Sequence, residues 1–377
     1  MRKLKLGVAG LGRAFALTAP TLAADERVEL VAAADPRKEA LAKVKDDFGA
    51  RGFSTLEDLL SQGDAEAIYI ATPHQFHAAQ ACLAAAAGKH VLVEKPMALS
   101  IDECRAMGGA ARKHNVHLVV GPSHSFDLPI RKTKELIPQF GRVRMITAIN
   151  FTDFLYRPRR PEELEHAVLN QSAHHVDIVR LLADTPLRSV RAHTAAWDRG
   201  QGAYSALLSF GESFATIVYS GYAHFDSDEF SGWVGELGQK KDPARYGAAR
   251  KLLLEKKESV LKAARNYGGP EFKAGEAQFH EHFGPLIVSC DHADLRPLPT
   301  GVMIHADGEQ RLEPLPTPAA PRAGVIDELY GAVVNGKAPL HDGPWGLATI
   351  EACLAILESA RTGKEVPLKH QTSASRT

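Results

Sequence analysis

The sequence contains few cysteines, and no two of them stand close together. Its four cysteines among 377 residues are Cys82, Cys104, Cys290 and Cys353, with no C-x-x-C pair. Disulfide scaffolds and thiolate metal sites both depend on closely or regularly spaced cysteines. We therefore expect buried, reduced thiols without a redox or metal role.

Long hydrophobic runs and an excess of either charge are also missing. No window reaches the about 18–20 consecutive apolar residues of a membrane-spanning helix. Glycines interrupt the N-terminal run MRKLKLGVAGLGRAF, which therefore does not resemble a cleaved leader. Forty-five basic residues balance forty-five acidic ones, whereas a nucleic-acid or membrane-surface binder carries a basic excess. We expect a cytoplasmic protein without nucleic-acid or membrane partners.

Residues 1–125 alternate short apolar runs with helical patterns. The runs LKLGVAG, VELVAAAD, AEAIYIAT, HVLVEK and VHLVVG are apolar on both faces, as buried parallel strands are. Segments rich in Ala, Leu, Lys and Glu separate them, with turn residues at their edges. This repetition predicts a doubly wound parallel α/β sheet, the Rossmann architecture of dinucleotide-binding domains.

The remaining two thirds of the chain have a different pattern. Residues 126–322 contain closely spaced alternating or aromatic-bearing runs, which predict an α+β domain on an open, mostly antiparallel sheet. Within it, residues 226–282 are rich in Lys and Glu and predict a helical insertion: a lid, an oligomer contact or a solvated surface helix. Residues 323–370 predict C-terminal helices that pack back on the first domain, and 371–377 a disordered tail.

The segment GVAGLGRAF follows the first predicted strand. Gly10 and Gly12 allow a tight turn and the close approach of a pyrophosphate to the amides of the next helix. The third position of the G-x-G-x-x-G pattern is Phe15, which weakens the match. The motif alone therefore indicates a dinucleotide site only weakly.

Asp35 ends the second predicted strand, 23 residues after Gly12. A carboxylate there binds the adenosine ribose hydroxyls and repels the 2'-phosphate of NADP, which favours NAD. Arg37 keeps NADP possible. Asp35 is alternatively, or in addition, the N-cap of a helix that begins at Pro36.

Further motifs resemble those of the Gfo/Idh/MocA oxidoreductases. ATPHQFHAAQACLAAAAGKHVLVEKPMALSIDECRAM contains that family's A-T-P-x-x-x-H, A-G-K-H-V and E-K-P motifs, and GLATIEACLAILESARTGKEVPL is similar to its C-terminal helix. With GVAGLG, the resemblance covers most of the chain. It implies that Lys95 reaches the nicotinamide and the substrate oxygen. The other cofactor contacts that it implies are Arg13, Thr72, Pro73, His77 and Glu94.

The second family motif, D-x-G-x-H-x-x-D, corresponds to NQSAHHVD here. The resemblance implies that His174 is the catalytic base and Asp177 the trailing aspartate, while Asn170 replaces the usual aspartate partner. An amide orients a histidine but does not stabilise its charged form as a carboxylate does. On a helix Asn170, His174 and Asp177 share one face, whereas His175 lies on an apolar stripe and is expected in the core.

Local segments such as YSGYAHFDSDEF and QKKDPARYGAARKLL resemble a subgroup, the phthalate 4,5-cis-dihydrodiol dehydrogenases.

The segment DFLYRPRRP has a composition that fits a flat, carboxylated substrate. Guanidinium groups bind carboxylates, and aromatic rings can flank a planar ring. A solvated basic loop is the alternative for this segment. PSHSFDLP places a histidine where sugar-acting relatives often carry arginine. The candidate substrate-binding residues are His124, Phe154, Tyr156, Arg157, Arg159 and Arg160.

We therefore predict an NAD-dependent dehydrogenase, with NADP possible, that oxidises a ring alcohol of a small carboxylated substrate without a metal. The open sheet predicts a homo-oligomer. A sugar or inositol dehydrogenase and a non-catalytic cofactor-sensing regulator remain as alternatives. A metal-dependent hydrolase built on His174, His175 and Asp177 is disfavoured, because adjacent helical residues point about 100° apart.

Overall fold

The computed structural model of the chain describes residues 2–153, 161–197, 200–272, 278–318 and 320–375. These residues belong to two compact units. The first comprises Met1–Pro122, Ser259–Gly275 and Ala320–Ile350, and the second comprises Ser123–Glu258, Glu276–Ala319 and Glu351–Thr377. No helix in the described ranges combines the length and apolarity needed to cross a bilayer.

The first unit is built on a parallel six-stranded sheet in the order β3-β2-β1-β4-β5-β6. Its strands are β1 Leu4–Ala9, β2 Val28–Ala34, β3 Arg51–Phe53, β4 Ala67–Ile70, β5 His90–Val93 and β6 Leu118–Val120. All four residues of β4 are buried, because helices cover both faces of a doubly wound sheet. The predicted Rossmann fold is confirmed.

Five helices connect these strands. They are α1 Arg13–Ala24, α2 Lys38–Phe48, α3 Leu56–Gln62, α4 His77–Ala86 and α5 Ile101–Lys113. The start of α5 is encoded locally: the hydroxyl of Ser100 accepts a hydrogen bond from the amide of Glu103 at 3.2 Å, an N-cap. The order of strand and helix places the turns after β1, β2, β4 and β5 at one edge of the sheet, where ligands of doubly wound folds bind.

The second unit is built on a nine-stranded sheet in the order β14-β13-β12-β11-β7-β10-β9-β8-β15. Its strands are β7 Val143–Phe151, β8 Ser189–Trp197, β9 Gly200–Ser209, β10 Phe214–Ser220, β11 Leu286–Cys290, β12 Ala293–Leu298, β13 Gly301–Ala306, β14 Gln310–Pro314 and β15 Val366–Pro367. Neighbours are antiparallel except β7 and β10. The predicted open, mostly antiparallel sheet is therefore confirmed.

Side chains along the strands of this sheet point alternately to a face covered by a helix and to a more accessible face. The helices of the unit before residue 258 are α6 Leu128–Leu136, α7 Pro161–Ala183 and α8 Ala248–Glu255. Along β10, Ala215, Ile217 and Tyr219 are buried while the residues between them are more accessible. The long helix α7 packs against β7, β9 and β10. Every second residue of these strands is therefore on the side that faces the helix.

In the last third of the chain, the segments are divided between the two units differently from the sequence-based domain limits. The helices of this part are α9 Glu258–Ala264, α10 Ala323–Asn335 and α11 Gly343–Thr362. Residues 259–275 of the predicted insertion belong to the first unit, and residues from 351 onward belong to the second. Val366 of β15 pairs with Val190 of β8, a two-residue contact too short to leave a sequence pattern.

The predicted disordered tail also makes specific contacts. The amide of Ser375 donates a hydrogen bond to Asp184 at 2.6 Å, and Arg180 donates to the hydroxyl of Thr372 at 3.2 Å. Polar composition suggested disorder, but these side chains find buried or half-buried partners on α7 and just after it.

Candidate active site

The glycine-rich turn after β1 has the geometry of a dinucleotide loop. Gly10 has a φ of +91°, and a Cβ there would lie 2.8 Å from the carbonyl oxygen of Ala71, so only glycine fits. Gly12 is the N-cap of α1, and a Cβ on it would meet no atom within 4 Å. The exposed Arg13 begins the helix. The turn therefore fits a pyrophosphate, with open space beside the first amides of α1.

Phe15, at the third motif position, has a packing role. Its side chain is fully buried, and its ring lies 4.9 Å from that of Tyr267 in an edge-to-face arrangement. The Tyr267 hydroxyl donates a hydrogen bond to Asp47 of α2. Tyr267 comes from the insertion, so this protein uses an aromatic contact where the motif usually has a small residue.

Asp35 lies at the carboxyl end of β2, 6% exposed, and its carboxylate accepts a hydrogen bond from the Leu11 amide at 2.7 Å. The amide and guanidinium of Arg37 also donate to it, at 2.9 and 3.0 Å. The predicted N-cap role is wrong, because α2 begins at Lys38 and its N-cap is Arg37. Asp35 instead links the glycine-rich turn to the place where the ribose of a dinucleotide is expected.

His77 holds two loops of the cofactor edge together. It is fully buried, with Nδ1 3.0 Å from the carbonyl of Pro96 and Nε2 2.9 Å from the carbonyl of Thr72. Burial lowers its pKa, which keeps the ring neutral with one N–H to donate. Thr72 donates its hydroxyl to Gln80 at 2.6 Å, and Pro73 is exposed beside it. His77 is therefore a positioning residue for the turns after β4 and β5.

The carboxylate of Glu94 points into the first unit. It accepts a hydrogen bond from the Tyr69 hydroxyl at 2.6 Å and lies 3.5 Å from the guanidinium of Arg322. Only 5% of Glu94 is exposed. Glu94 therefore makes an internal hydrogen bond and ion pair, and its contact with the cofactor stays a prediction. Lys95, the next residue, is half-buried directly after β5.

The two adjacent histidines of helix α7 have different partners. His175 is fully buried, and its Nδ1 lies 2.8 Å from the hydroxyl of Tyr204. Burial, with a smaller contribution from the nearby His124, lowers the pKa of His175 to about 3, so it stays neutral. His174 is also buried, at 6% exposed, and the ring of Phe283 contacts both histidines, with centroids 4.6 Å from His174 and 4.7 Å from His175. The half-buried Asn170 stands one turn before His174.

Asp177 anchors the loop that carries His124. Its carboxylate accepts hydrogen bonds from the hydroxyls of Ser123 and Ser125. The hydrolase alternative, in which His174, His175 and Asp177 share a metal ion, is therefore wrong. His175 contacts the hydroxyl of Tyr204, and Asp177 binds the two serine hydroxyls.

His124 and His174 lie side by side, with ring centroids 4.7 Å apart. Nδ1 of His124 is 2.7 Å from Asp127, and Nε2 is 3.4 Å from Glu236. Burial lowers the pKa of His124, but the two carboxylates outweigh burial and raise it to about 10. The ring of Phe283 covers both histidines, 5.2 Å from His124 and 4.6 Å from His174.

Three residues of this cluster were not predicted from the sequence. Asp127 follows His124 by three residues, a spacing that could have suggested a pair. Glu236 and Phe283 come from distant loops without any local motif. The predicted substrate residues Phe154, Tyr156, Arg157, Arg159 and Arg160 lie outside the described residues.

Residues 4–122 match a protein family described as "Oxidoreductase family, NAD-binding Rossmann fold", GFO_IDH_MocA. The chain is 43% identical over 377 residues, 95% of each chain, to the "1-carboxy-3-chloro-3,4-dihydroxycyclo hexa-1,5-diene dehydrogenase" of Comamonas testosteroni. A putative dehydrogenase from Bordetella bronchiseptica RB50 superposes with a TM-score of 0.90 at 38% identity, over 97% of this chain and 100% of that one. The WlbA dehydrogenase from Bordetella pertussis, solved with NADH and UDP-GlcNAcA, shares the fold, with a TM-score of 0.69 at 24% identity over 98% of both chains.

Proposed function

The chain belongs to the Gfo/Idh/MocA family of NAD(P)-dependent oxidoreductases, and we propose that it oxidises a ring alcohol of a carboxylated aromatic cis-dihydrodiol. The observation that carries this proposal is the 43% identity, over 95% of the chain, to a dehydrogenase whose name specifies a carboxylated dihydroxycyclohexadiene. Phthalate-type dihydrodiols belong to the same chemical class.

The glycine turn and Asp35 would hold NAD, which would supply the acceptor for the hydride that leaves the carbon carrying the hydroxyl group. In our proposal Lys95 donates a hydrogen bond to the reacting oxygen and stabilises its developing negative charge. His174 accepts the hydroxyl proton as general base, and Asn170 orients the histidine. The product ketone of a cyclohexadiene diol tautomerises to a catechol, so aromatisation favours oxidation over the reverse reaction.

The residues of the first unit fit a dinucleotide. The glycine turn leaves space at the start of α1, and Asp35, hydrogen-bonded to the amide of Leu11, is the residue that we propose binds the ribose. A carboxylate at this position favours NAD over NADP. Arg37 is held against Asp35, with its guanidinium also donating to the carbonyl of Leu11 at 2.7 Å, which supports the same preference.

The second unit brings a hydrogen-bond donor next to the proposed base. His124 is buried next to His174, and Ser123 and Ser125 fix its loop on Asp177. An imidazole between two carboxylates is a hydrogen-bond donor rather than an acceptor. A sugar or inositol dehydrogenase is the alternative within the family. A non-catalytic cofactor-sensing regulator is the alternative of another class.

A spectrophotometric screen separates these functions. The full-length chain is mixed with NAD or NADP and with carboxylated cis-dihydrodiols, inositols or aldoses, and absorbance at the wavelength of the reduced nicotinamide is followed. We expect turnover with NAD and the carboxylated diols. Turnover on aldoses or inositols alone contradicts the aromatic-acid proposal, and cofactor binding without turnover on any of the alcohols favours the regulator.

A further inference from the structure

We propose that His124, His174 and Glu236 form a binding site for one divalent metal ion of the zinc type. One ligand atom from each of the three residues lies within 4.8 Å of the others. The site is separate in kind from the cofactor chemistry, and nothing in the sequence motifs pointed to it. Among the residues that the structure describes, only these three histidine and carboxylate side chains come close enough together to hold one metal ion.

The distances suit tetrahedral coordination. Zinc binds histidine nitrogen and carboxylate oxygen at about 2.0–2.2 Å, so two ligands of a tetrahedral ion stand about 3.4 Å apart. Nε2 of His124 and Oε1 of Glu236 are 3.4 Å apart. The centroid of the His174 ring lies 4.7 Å from that of His124, and one ring nitrogen of His174 lies within 4.8 Å of the other two ligand atoms.

The outer contacts also match those of metal-bound histidines. A ligating histidine usually directs its second ring nitrogen at a carboxylate or carbonyl, which fixes the tautomer and ring orientation. Nδ1 of His124 is 2.7 Å from Asp127, whose side chain is 7% exposed. Asp127 thus holds His124 with Nε2 directed at Glu236.

Charge and access favour a cation here. His124 and His174 are both more than nine-tenths buried, while the Glu236 side chain is 45% exposed and gives an ion a path from solvent. Two carboxylates flank His124, so an ion that binds Nε2 displaces the ring proton and replaces its positive charge between them. Two imidazoles and one carboxylate suit zinc-type ions, whereas magnesium and calcium prefer oxygen ligands alone.

Occupancy has a consequence that rests on the proposed function. A metal ion bound to His174 takes the lone pair that the histidine uses to accept the hydroxyl proton. It also occupies the place of the alcohol beside His124. We therefore expect zinc to inhibit the dehydrogenase competitively with the alcohol and not with NAD, and a chelator to restore activity.

Calorimetric titration of ZnCl₂ into the chelator-treated, full-length protein tests the site without substrate or cofactor. We expect one ion per chain in the wild type and at least a tenfold weaker dissociation constant in Glu236→Gln. The matched control is Glu212→Gln, an exposed surface glutamate of the same unit, which should bind as the wild type does. Asp127→Asn should weaken binding about 10–100-fold through the lost outer contact.

The outcomes are separable. No stoichiometric binding, or equal binding by wild type and Glu236→Gln, overturns the metal site. Thermal unfolding of each apo variant shows whether a weak titration merely reflects a misfolded chain, and Asp127→Asn gives a second, independent variant. If the chain oxidises no alcohol, the proposed function fails, but calorimetry still decides the metal site. Zinc that binds without inhibiting turnover refutes the proposed overlap with the alcohol.

Discussion

The carboxylate of Asp177 on α7 accepts a hydrogen bond from the hydroxyl of Ser125. Ser123 donates to the same oxygen, so one aspartate fixes both residues that flank His124. The aspartate that ends the NQSAHHVD segment therefore acts through a loop, whereas the histidine three residues earlier carries the proposed chemistry. The motif combines a catalytic position and a positioning position on one helix.

Replacement of Asp177 by Asn should weaken this anchor. The amide keeps one acceptor oxygen but loses the charge, and each hydrogen bond to a charged group contributes about 1.5–3 kcal/mol. We expect the free energy of unfolding in urea to fall by about 2 kcal/mol and kcat/KM to fall because His124 and His174 lose their alignment. Asp294→Asn, on the exposed side of β12, is the control. Unchanged stability and activity in Asp177→Asn contradict the anchoring role.

Phe15 can be returned to the small residue that the dinucleotide motif prefers. Phe15→Ala should remove the edge-to-face contact with Tyr267 and leave a cavity, at a cost of about 3–5 kcal/mol in the free energy of unfolding. Thermal and urea unfolding measure this loss. Phe76→Ala, where the ring is 47% exposed, should change stability far less. A Phe15→Ala protein as stable as the wild type would show that the insertion does not depend on this contact.

The sequence predicted the Rossmann sheet well because its signals are local. Five apolar runs are buried on both faces, and the glycine turn and Asp35 follow the strands that position them. The second sheet was predicted only as a class. Its order depends on the parallel pairing of β7 with β10, whose residues such as Ile146 and Ala215 are far apart in the chain.

The site shows the same limit. His174 was named from the family resemblance, and the core position of His175 was predicted from helical spacing, since adjacent helical residues point about 100° apart. Glu94 was assigned to the cofactor from the family resemblance, and its contact with Arg322, 228 residues later, lay beyond any local pattern. Glu236 was missed for the same reason: only folding brings the insertion to the loop after Pro122.

The charge of Asp35 should set the choice of cofactor. Asp35→Asn keeps an acceptor for the Leu11 amide but removes the repulsion of a 2'-phosphate. We expect the ratio of the dissociation constants of NADPH and NADH, measured by fluorescence titration, to fall at least tenfold, or about 1.4 kcal/mol. The exposed Asp46→Asn on α2 is the control. An unchanged ratio would assign Asp35 a purely structural role in the turn.

The arginine-rich segment should matter only for carboxylated substrates. We propose that Arg157 and Arg159 bind the substrate carboxylate, an expectation from the sequence alone. Removing one charge-assisted contact costs about 1.5–3 kcal/mol, so Arg157→Ala or Arg159→Ala should raise KM for a carboxylated diol about tenfold or more. KM for a neutral polyol should stay the same, and so should both constants in the exposed control Arg245→Ala. Equal effects on both substrates argue against carboxylate recognition.

We also propose that the accessible face of the nine-stranded sheet joins two copies of the chain. One row of paired residues crosses four strands of this face, from Ile287 on β11 through Thr147 on β7 and Thr216 on β10 to Leu207 on β9. Ile287 is 38% exposed and Leu207 44% exposed, so apolar side chains meet solvent in the single chain. Monomeric proteins seldom leave wide apolar faces uncovered.

The substitution Leu207→Arg tests this interface. Because a two-fold axis repeats each change on both copies, Leu207→Arg places like charges at the contact twice. Light scattering after size-exclusion chromatography should give a multiple of the chain mass for the wild type and a smaller mass for Leu207→Arg. Leu254→Arg, at a residue 75% exposed on α8, should leave the mass unchanged. A monomeric wild type, or an unaltered mass in Leu207→Arg, contradicts assembly through this face.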